Sequence, residues 1–338
     1  MSERLVDIVH TATTATVTEA RALVSRPFVP TRSDGRRTLV GLVLQAPLTH
    51  ADRTRLLEGL AAEVPETTAS QLLATADALR RLPPRFPEPH DVLRLPALSA
   101  PLTEAFEMLF ALDTEVPAPW TLIGGLMVMS HRVQHDVAPG RVTEDADVAV
   151  GVFTHRQALA RVTGSLRQHR FRDTTPDRLA GGAPLSYRWS RGEVRVDLAV
   201  PPKANGQRRV PWAITRRAAV ELPAVQQALA RSERLTVRLA DGTEGCIRRP
   251  NLLGAVVIKA EAATSDTREP DRHREDLVAL ADLLAISGLH LSYRAELRAK
   301  DARRVRRAMA TIRPAQWRMA SAPDAASAAL KSLLGATT

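Results

Sequence analysis

Asp145 and Asp147 are the residues of this sequence best suited to chemistry. They bracket Ala146 at the start of the run Ala146-Asp147-Val148-Ala149-Val150, and alternate side chains of an extended chain point the same way. The two carboxylates therefore share a face, and their repulsion costs free energy unless a cation sits between them. A third carboxylate, Asp197, interrupts the otherwise apolar strand Val194 to Val200. Upstream, Ile123-Gly124-Gly125 ends a strand and opens a helix, which lets bare backbone N–H groups approach a phosphate at the positive end of the helix dipole. A strand, Gly-Gly and helix, then Asp-x-Asp on the next strand and a lone Asp on a later one, is an arrangement that holds two Mg²⁺ ions over a nucleoside triphosphate. Asp145, Asp147 and Asp197 are thus the expected metal ligands and catalytic acids, with Gly124 and Gly125 at the phosphates. Arg141 and Thr143 stand just before the Asp pair, either to bind phosphate or to cap the loop.

Two further charges fall where charges need partners. On the expected helix 251–264 the apolar stripe runs Leu252, Leu253, Val256, Val257, Ala260 and Ala263, and Lys259 lies within it. On the expected helix 271–287 the stripe is Leu277, Leu280, Leu283 and Leu284, and Asp276 stands on its flank. One reading is a buried Lys259–Asp276 ion pair that is purely structural. The other has Lys259 holding the triphosphate as a compact point charge and Asp276 orienting it or assisting the acceptor. Only four lysines occur in a chain rich in arginine, which favours a specific need for the ammonium.

Taken together these residues resemble the nucleotidyltransferase superfamily, in the form found in the AbiEii/MenT-type toxins of toxin–antitoxin systems. The resemblance rests on Gly124-Gly125 followed by Arg141-x-Thr143-x-Asp145-x-Asp147, then on the proline-led segment Pro250 to Lys259, and on Arg272-His-Arg-Glu-Asp276-Leu. It covers roughly residues 119–290. Two departures are the long stretch Ser130 to Gly140 before the Asp pair, and Arg274-Glu275-Asp276 where members of the family often carry Lys-Asp. The resemblance implies transfer of a nucleoside monophosphate from a triphosphate to the 3′ end of tRNA, and growth arrest reversed by a cognate antitoxin. The same core in an aminoglycoside-type adenylyltransferase would modify a small molecule, and a non-catalytic nucleotide-binding module would keep the fold without the reaction.

The elements that must position these groups are legible from periodicity and turn residues. Two helices are expected over 51–64 and 67–81, closed by the Pro-rich stretch 82–89, and another over 102–112, making residues 1–118 a helical accessory region with an irregular first forty residues. From 119 to 248 short apolar runs alternate with helices. Strands are expected at 120–123, 146–150, 186–189, 194–200, 235–239 and 245–248, with a helix from Gly124 to about 133, another over 154–169, a hairpin connection through Ser190-Arg191-Gly192-Glu193 and another through Ala240-Asp241-Gly242. From 249 to 338 the chain reads as helices, over 251–264, 271–287, 292–310 and 323–334. The fold class is α/β in the α+β sense: a small mixed sheet with flanking helices and a helical C-terminal part.

Charge sharpens the choice of partner. Of 47 basic and 37 acidic residues, residues 1–118 hold 12 and 15, so the remainder hold 35 and 22 and the excess of +13 lies in the C-terminal two-thirds. On the expected helix 292–310, Lys300, Arg303, Arg304 and Arg307 fall on one face by three-and-four spacing, to track an RNA backbone or simply to meet water. Arg208, Arg209, Arg216 and Arg217 form a second basic cluster. His131, His135 and His273 lack metal-ligand spacing, and Cys246 is the only cysteine, which argues against a thiolate metal site. With no apolar run long enough to span a bilayer and an acidic start where a signal peptide is basic, the chain is expected in the cytoplasm, away from membranes.

Overall fold

A computed structural model describes residues 50–62, 66, 69–70, 72–73, 76–77, 92–140, 143, 145–153, 155, 157–176, 186–202, 217 and 219–335. The expectations for the first forty residues, the Pro-rich stretch, Arg141, Arg208, Arg209 and Arg216 lie outside them. The chain forms two compact units, one of residues 92–280 and the other of 1–91 with 281–338. These limits differ from the expected boundaries at 118 and 248. Helix α2 (Ala100–Glu115) buries Phe106, Leu109 and Leu112 and packs on the sheets that follow it, so it belongs with them rather than with an N-terminal region.

Strands β1 (Val92–Arg94), β2 (Trp120–Ile123), β3 (Asp145–Val150), β4 (Arg172–Asp173), β5 (Arg188–Arg191), β6 (Val194–Val200), β7 (Val220–Glu221), β8 (Ser232–Arg238) and β9 (Glu244–Pro250) build two sheets in this unit. The larger runs β2-β3-β6-β5-β4, with β7 added along the end of β6. Only β3–β6 and β6–β7 are parallel in it; the remaining pairs are antiparallel. The parallel pair needs a crossover, and helix α4 (Ala158–Gln168) supplies part of it. Alternation decides the faces: Ala146, Val148 and Val150 of β3 and Val194, Val196 and Leu198 of β6 are buried, which turns Asp145, Asp147 and Asp197 to the opposite side. The second sheet, β1-β8-β9, lies beside β2 and includes the three-residue β1, which the sequence pattern does not announce. The fold is thus a mixed α/β one with two mixed sheets rather than a single small one.

Helices α3 (Gly124–Gln134), α5 (Val225–Ala230) and α6 (Leu252–Ser265) complete the unit together with the first part of α7 (Pro270–Ser287). Asn251 caps α6, its side chain accepting from the Gly254 N–H at 2.9 Å. A buried polar link ties α3 to the start of α6. Arg249, fully buried, donates to Ser130 Oγ at 2.9 Å, to Gln134 and to Glu233 at 3.2 Å, and His131 Nε2 meets the Pro250 carbonyl at 3.0 Å.

The other unit contains α1 (His50–Ala61), then α8 (His290–Arg294), α9 (Ala299–Met309), α10 (Pro314–Trp317) and α11 (Pro323–Leu333). The single helix expected over 292–310 is two: Ala295 to Glu296 end the first, and Arg298 begins the second in extended backbone geometry. α11 packs on α8 and α10, and buried Asp282 accepts from the Ser321 N–H and hydroxyl at 3.0 and 2.8 Å.

Candidate active site

β3 forms the floor of the site, and pairing places its acids. Asp147 is opposite Ile123 of β2 on one side and Asp197 of β6 on the other, and Asp145 is opposite Arg195. Like charges directly opposite each other destabilise a sheet, so Asp147 beside Asp197 is a feature the fold tolerates rather than one it needs. The two glycines make the room. Gly124 has φ +73°, and a Cβ there would lie 1.7 Å from Asp147 Oδ2; a Cβ on Gly125 would lie 2.8 Å from the Thr143 Cβ. Gly124-Gly125 and Thr143-x-Asp145-x-Asp147, read separately along the chain, are therefore in contact. The immediate reason for glycine is the approach of the carboxylate itself.

Burial pushes the Asp147 carboxyl up to about 7, with the negative charges of Asp197 and Asp145 adding to the rise while Lys259 and Arg272 pull it down. Asp147 nonetheless keeps some open surface.

Two cation–carboxylate pairs flank it. Arg188 is opposite Asp197 across the β5–β6 hairpin and grips it with both arms, Nε to Oδ1 at 2.9 Å and Nη2 to Oδ2 at 2.6 Å; the same Nη2 lies 3.8 Å from Asp145 Oδ2. Lys259 Nζ donates to Asp276 Oδ2 at 2.7 Å, with both groups buried. Arg272, in the first turn of α7, reaches Thr143 Oγ1 at 3.5 Å and pairs with Glu269 at 3.0 Å.

Gly124, Gly125, Thr143, Asp145, Asp147, Asp197, Lys259 and Asp276 are thus gathered in one unit around β3. Arg141 lies outside the described residues. Sequence reasoning passed over Arg188 and gave Arg272 no role. The signal for Arg188 was present: a two-residue turn at Gly192-Glu193 pairs Arg191 with Val194, and counting outward sets Arg188 against Asp197. The histidines make ordinary contacts. His273 meets Asp266 at 2.9 Å, and His131 is held well below its usual range by burial and by the Arg249 charge. Cys246 is a half-buried strand residue beside Thr236.

Asp145 and Asp147 fit a hard divalent cation: an all-oxygen pair whose shared negative charge raises one of its own members. Asp197, expected as the third ligand, turns both oxygens to Arg188, and among the described residues no group of three His, Cys, Asp or Glu side chains is gathered as a metal set.

In the other unit, Lys300, Arg303 and Arg307 of α9 are exposed, but Arg304 is buried and bonded to Asp301 at 3.1 Å. Ala302, Val305 and Ala308 mark the covered side of α9, and Arg304 lies next to it. Arg306 takes its place on the exposed basic face. No helix among the described residues is long and apolar enough to cross a membrane. Comparison with known proteins adds no relative: no family model, no curated protein and no solved structure matches the chain.

Proposed function

We propose that this protein is a metal-dependent nucleotidyltransferase that moves a nucleoside monophosphate from a triphosphate to an acceptor hydroxyl, with tRNA as acceptor and growth arrest, relieved by an antitoxin, as the outcome. The observation that carries the reading is the close approach of Gly124 to Asp147, a carboxylate that also feels the charges of Asp145, Asp197 and Lys259. Asp145 and Asp147 would hold Mg²⁺. When bound, the cation supplies charge neutralisation on the triphosphate oxygens and helps the pyrophosphate to leave. Lys259 binds the triphosphate as a point charge, and Asp276, bonded to it at 2.7 Å, fixes where the ammonium points. Arg272 extends that positive wall. Asp197, opposite Asp147 on the neighbouring strand and held there by Arg188, positions the acceptor hydroxyl, whose proton passes to water. The acceptor oxygen then bonds to the α-phosphorus as the bond to the pyrophosphate oxygen breaks. Most of the rate comes from orientation and from charges fixed in advance.

Incubation of the full chain with each α-labelled triphosphate, total tRNA and Mg²⁺ tests the reading, which expects label on RNA that disappears with chelator. Label on an aminoglycoside and none on RNA would move the acceptor to a small molecule. No transfer to either would overturn the proposal.

A further inference from the structure

Among the described residues, Arg188 makes the bidentate contact with the acidic cluster. It forks onto Asp197 at 2.9 and 2.6 Å and extends the same Nη2 toward Asp145 at 3.8 Å. A guanidinium is planar, permanently charged and matched to a carboxylate through two parallel hydrogen bonds, so this is a fixed bridge rather than a loose contact. Hydrogen bonding to Asp197 holds Arg188 above even the ordinary arginine range. Its place is set by the fold, because the two-residue turn at Gly192-Glu193 fixes the register that puts Arg188 opposite Asp197.

A divalent cation shared by Asp147 and Asp197 would need carboxylate oxygens that this fork already occupies. A cation held by Asp145 and Asp147 would leave that fork intact, with Arg188 and Arg195 at 3.8 and 3.7 Å from the Asp145 oxygens. Mg²⁺ bound through one or two carboxylates, with substrate phosphates completing its shell, is an ordinary arrangement.

We infer that Arg188 takes the place of a second cation, so that the site binds one divalent ion through Asp145 and Asp147 while Arg188 neutralises Asp197. The inference rests on the nucleotidyltransferase reading and narrows it from two metal ions to one. Arg188 is then a positioning residue, acting through Asp197, and its removal should create a cation site instead of destroying one. Arg195, which lies 3.7 Å from Asp145 Oδ1 and leaves Asp197 alone, provides the contrast.

The test counts ions. Mn²⁺ alone is titrated into the full chain, and free Mn²⁺ is followed by its paramagnetic resonance signal. One bound Mn²⁺ per wild-type chain is expected, two in Arg188→Met with the broadening of a spin-coupled pair, and one again in Arg188→Met with Asp197→Asn. Arg195→Met should stay at one. Thermal melts confirm folding, and Arg188→Gln replaces Arg188→Met should the latter fail to fold. Two ions in the wild type, or an Arg188 variant that stays at one, would overturn the inference and leave the nucleotidyltransferase reading standing. No bound ion in the wild type or in either Arg188 variant would remove both.

Discussion

Asp113 and Asp147 are both withdrawn from water, and the protein treats them in opposite ways. Asp113 is almost completely buried, yet each oxygen has its own guanidinium, Arg234 at 2.8 Å and Arg248 at 2.7 Å, and Arg248 also donates to the Ala118 carbonyl. Asp147 has two acids beside it, and the cations that act on it pull less than burial and repulsion push. A carboxylate kept for structure arrives with its counter-ions. One kept under electrostatic strain, and still partly exposed, is a place where a ligand can supply the missing charge.

The comparison is broken most severely at Asp113. Asp113→Ala leaves two arginines without their shared partner and should cost about 3 to 5 kcal/mol in urea unfolding, less to the extent that Arg234 is exposed. A loss below about 1 kcal/mol would mean that the pair of arginines is surface decoration.

Asp147→Asn should do the reverse. Its folded value of about 7 lies above the ordinary carboxyl value of 3.8, so the folded state binds a proton that the unfolded state has released, and stability falls as pH rises between the two. Wild type is therefore most penalised above pH 7, by up to about 4 kcal/mol on the scale of 1.36 kcal/mol per unit. The variant should be more stable than wild type at pH 8, with the advantage vanishing near pH 4. Equal stability at pH 8 would show that Asp147 is not strained.

A smaller effect separates the basic residues of α9. Replacing Lys300, Arg303, Arg306 and Arg307 together by Ala should flatten the log–log dependence of tRNA affinity on salt by up to about 0.7 to 0.9 for each RNA phosphate that the helix no longer neutralises. Arg304→Ala, which removes a charged partner from buried Asp301, should leave that slope alone and cost roughly 1.5 to 3 kcal/mol of stability. A slope that responds to Arg304 and not to the four exposed residues would reverse the assignment.

Much of the site is legible in the sequence because its parts obey local rules. Period-two alternation puts Asp145 and Asp147 on one side of β3, and helical spacing sets Lys259 and Asp276 among apolar neighbours. What spacing could not supply was the register between β3 and β6, which decides that Asp147 faces Asp197; the register that commits Arg188 to Asp197 follows from the turn at Gly192-Glu193. Nor could it say that the glycines yield to a side chain, since the contact joins Gly124 to a residue on another strand. Arg304 shows the limit on helices. The three-and-four rule gathers residues onto a face, but only the positions of Ala302, Val305 and Ala308 tell which face is covered. β1 escaped for a related reason: three residues carry no period, and the partner strand β8 lies far along the chain.

If Asp147 sits under strain in order to serve phosphoryl chemistry, its replacement must cost the reaction and spare the fold. Transfer of α-labelled nucleotide is measured at pH 8 for wild type and Asp147→Asn, each shown to be folded under the same conditions. The variant should be at least as stable as wild type and transfer nucleotide more slowly by a factor of about a hundred or more, the scale on which removing one preorganised electrostatic group acts. A stable Asp147→Asn variant that transfers nucleotide at the wild-type rate would contradict that role for Asp147.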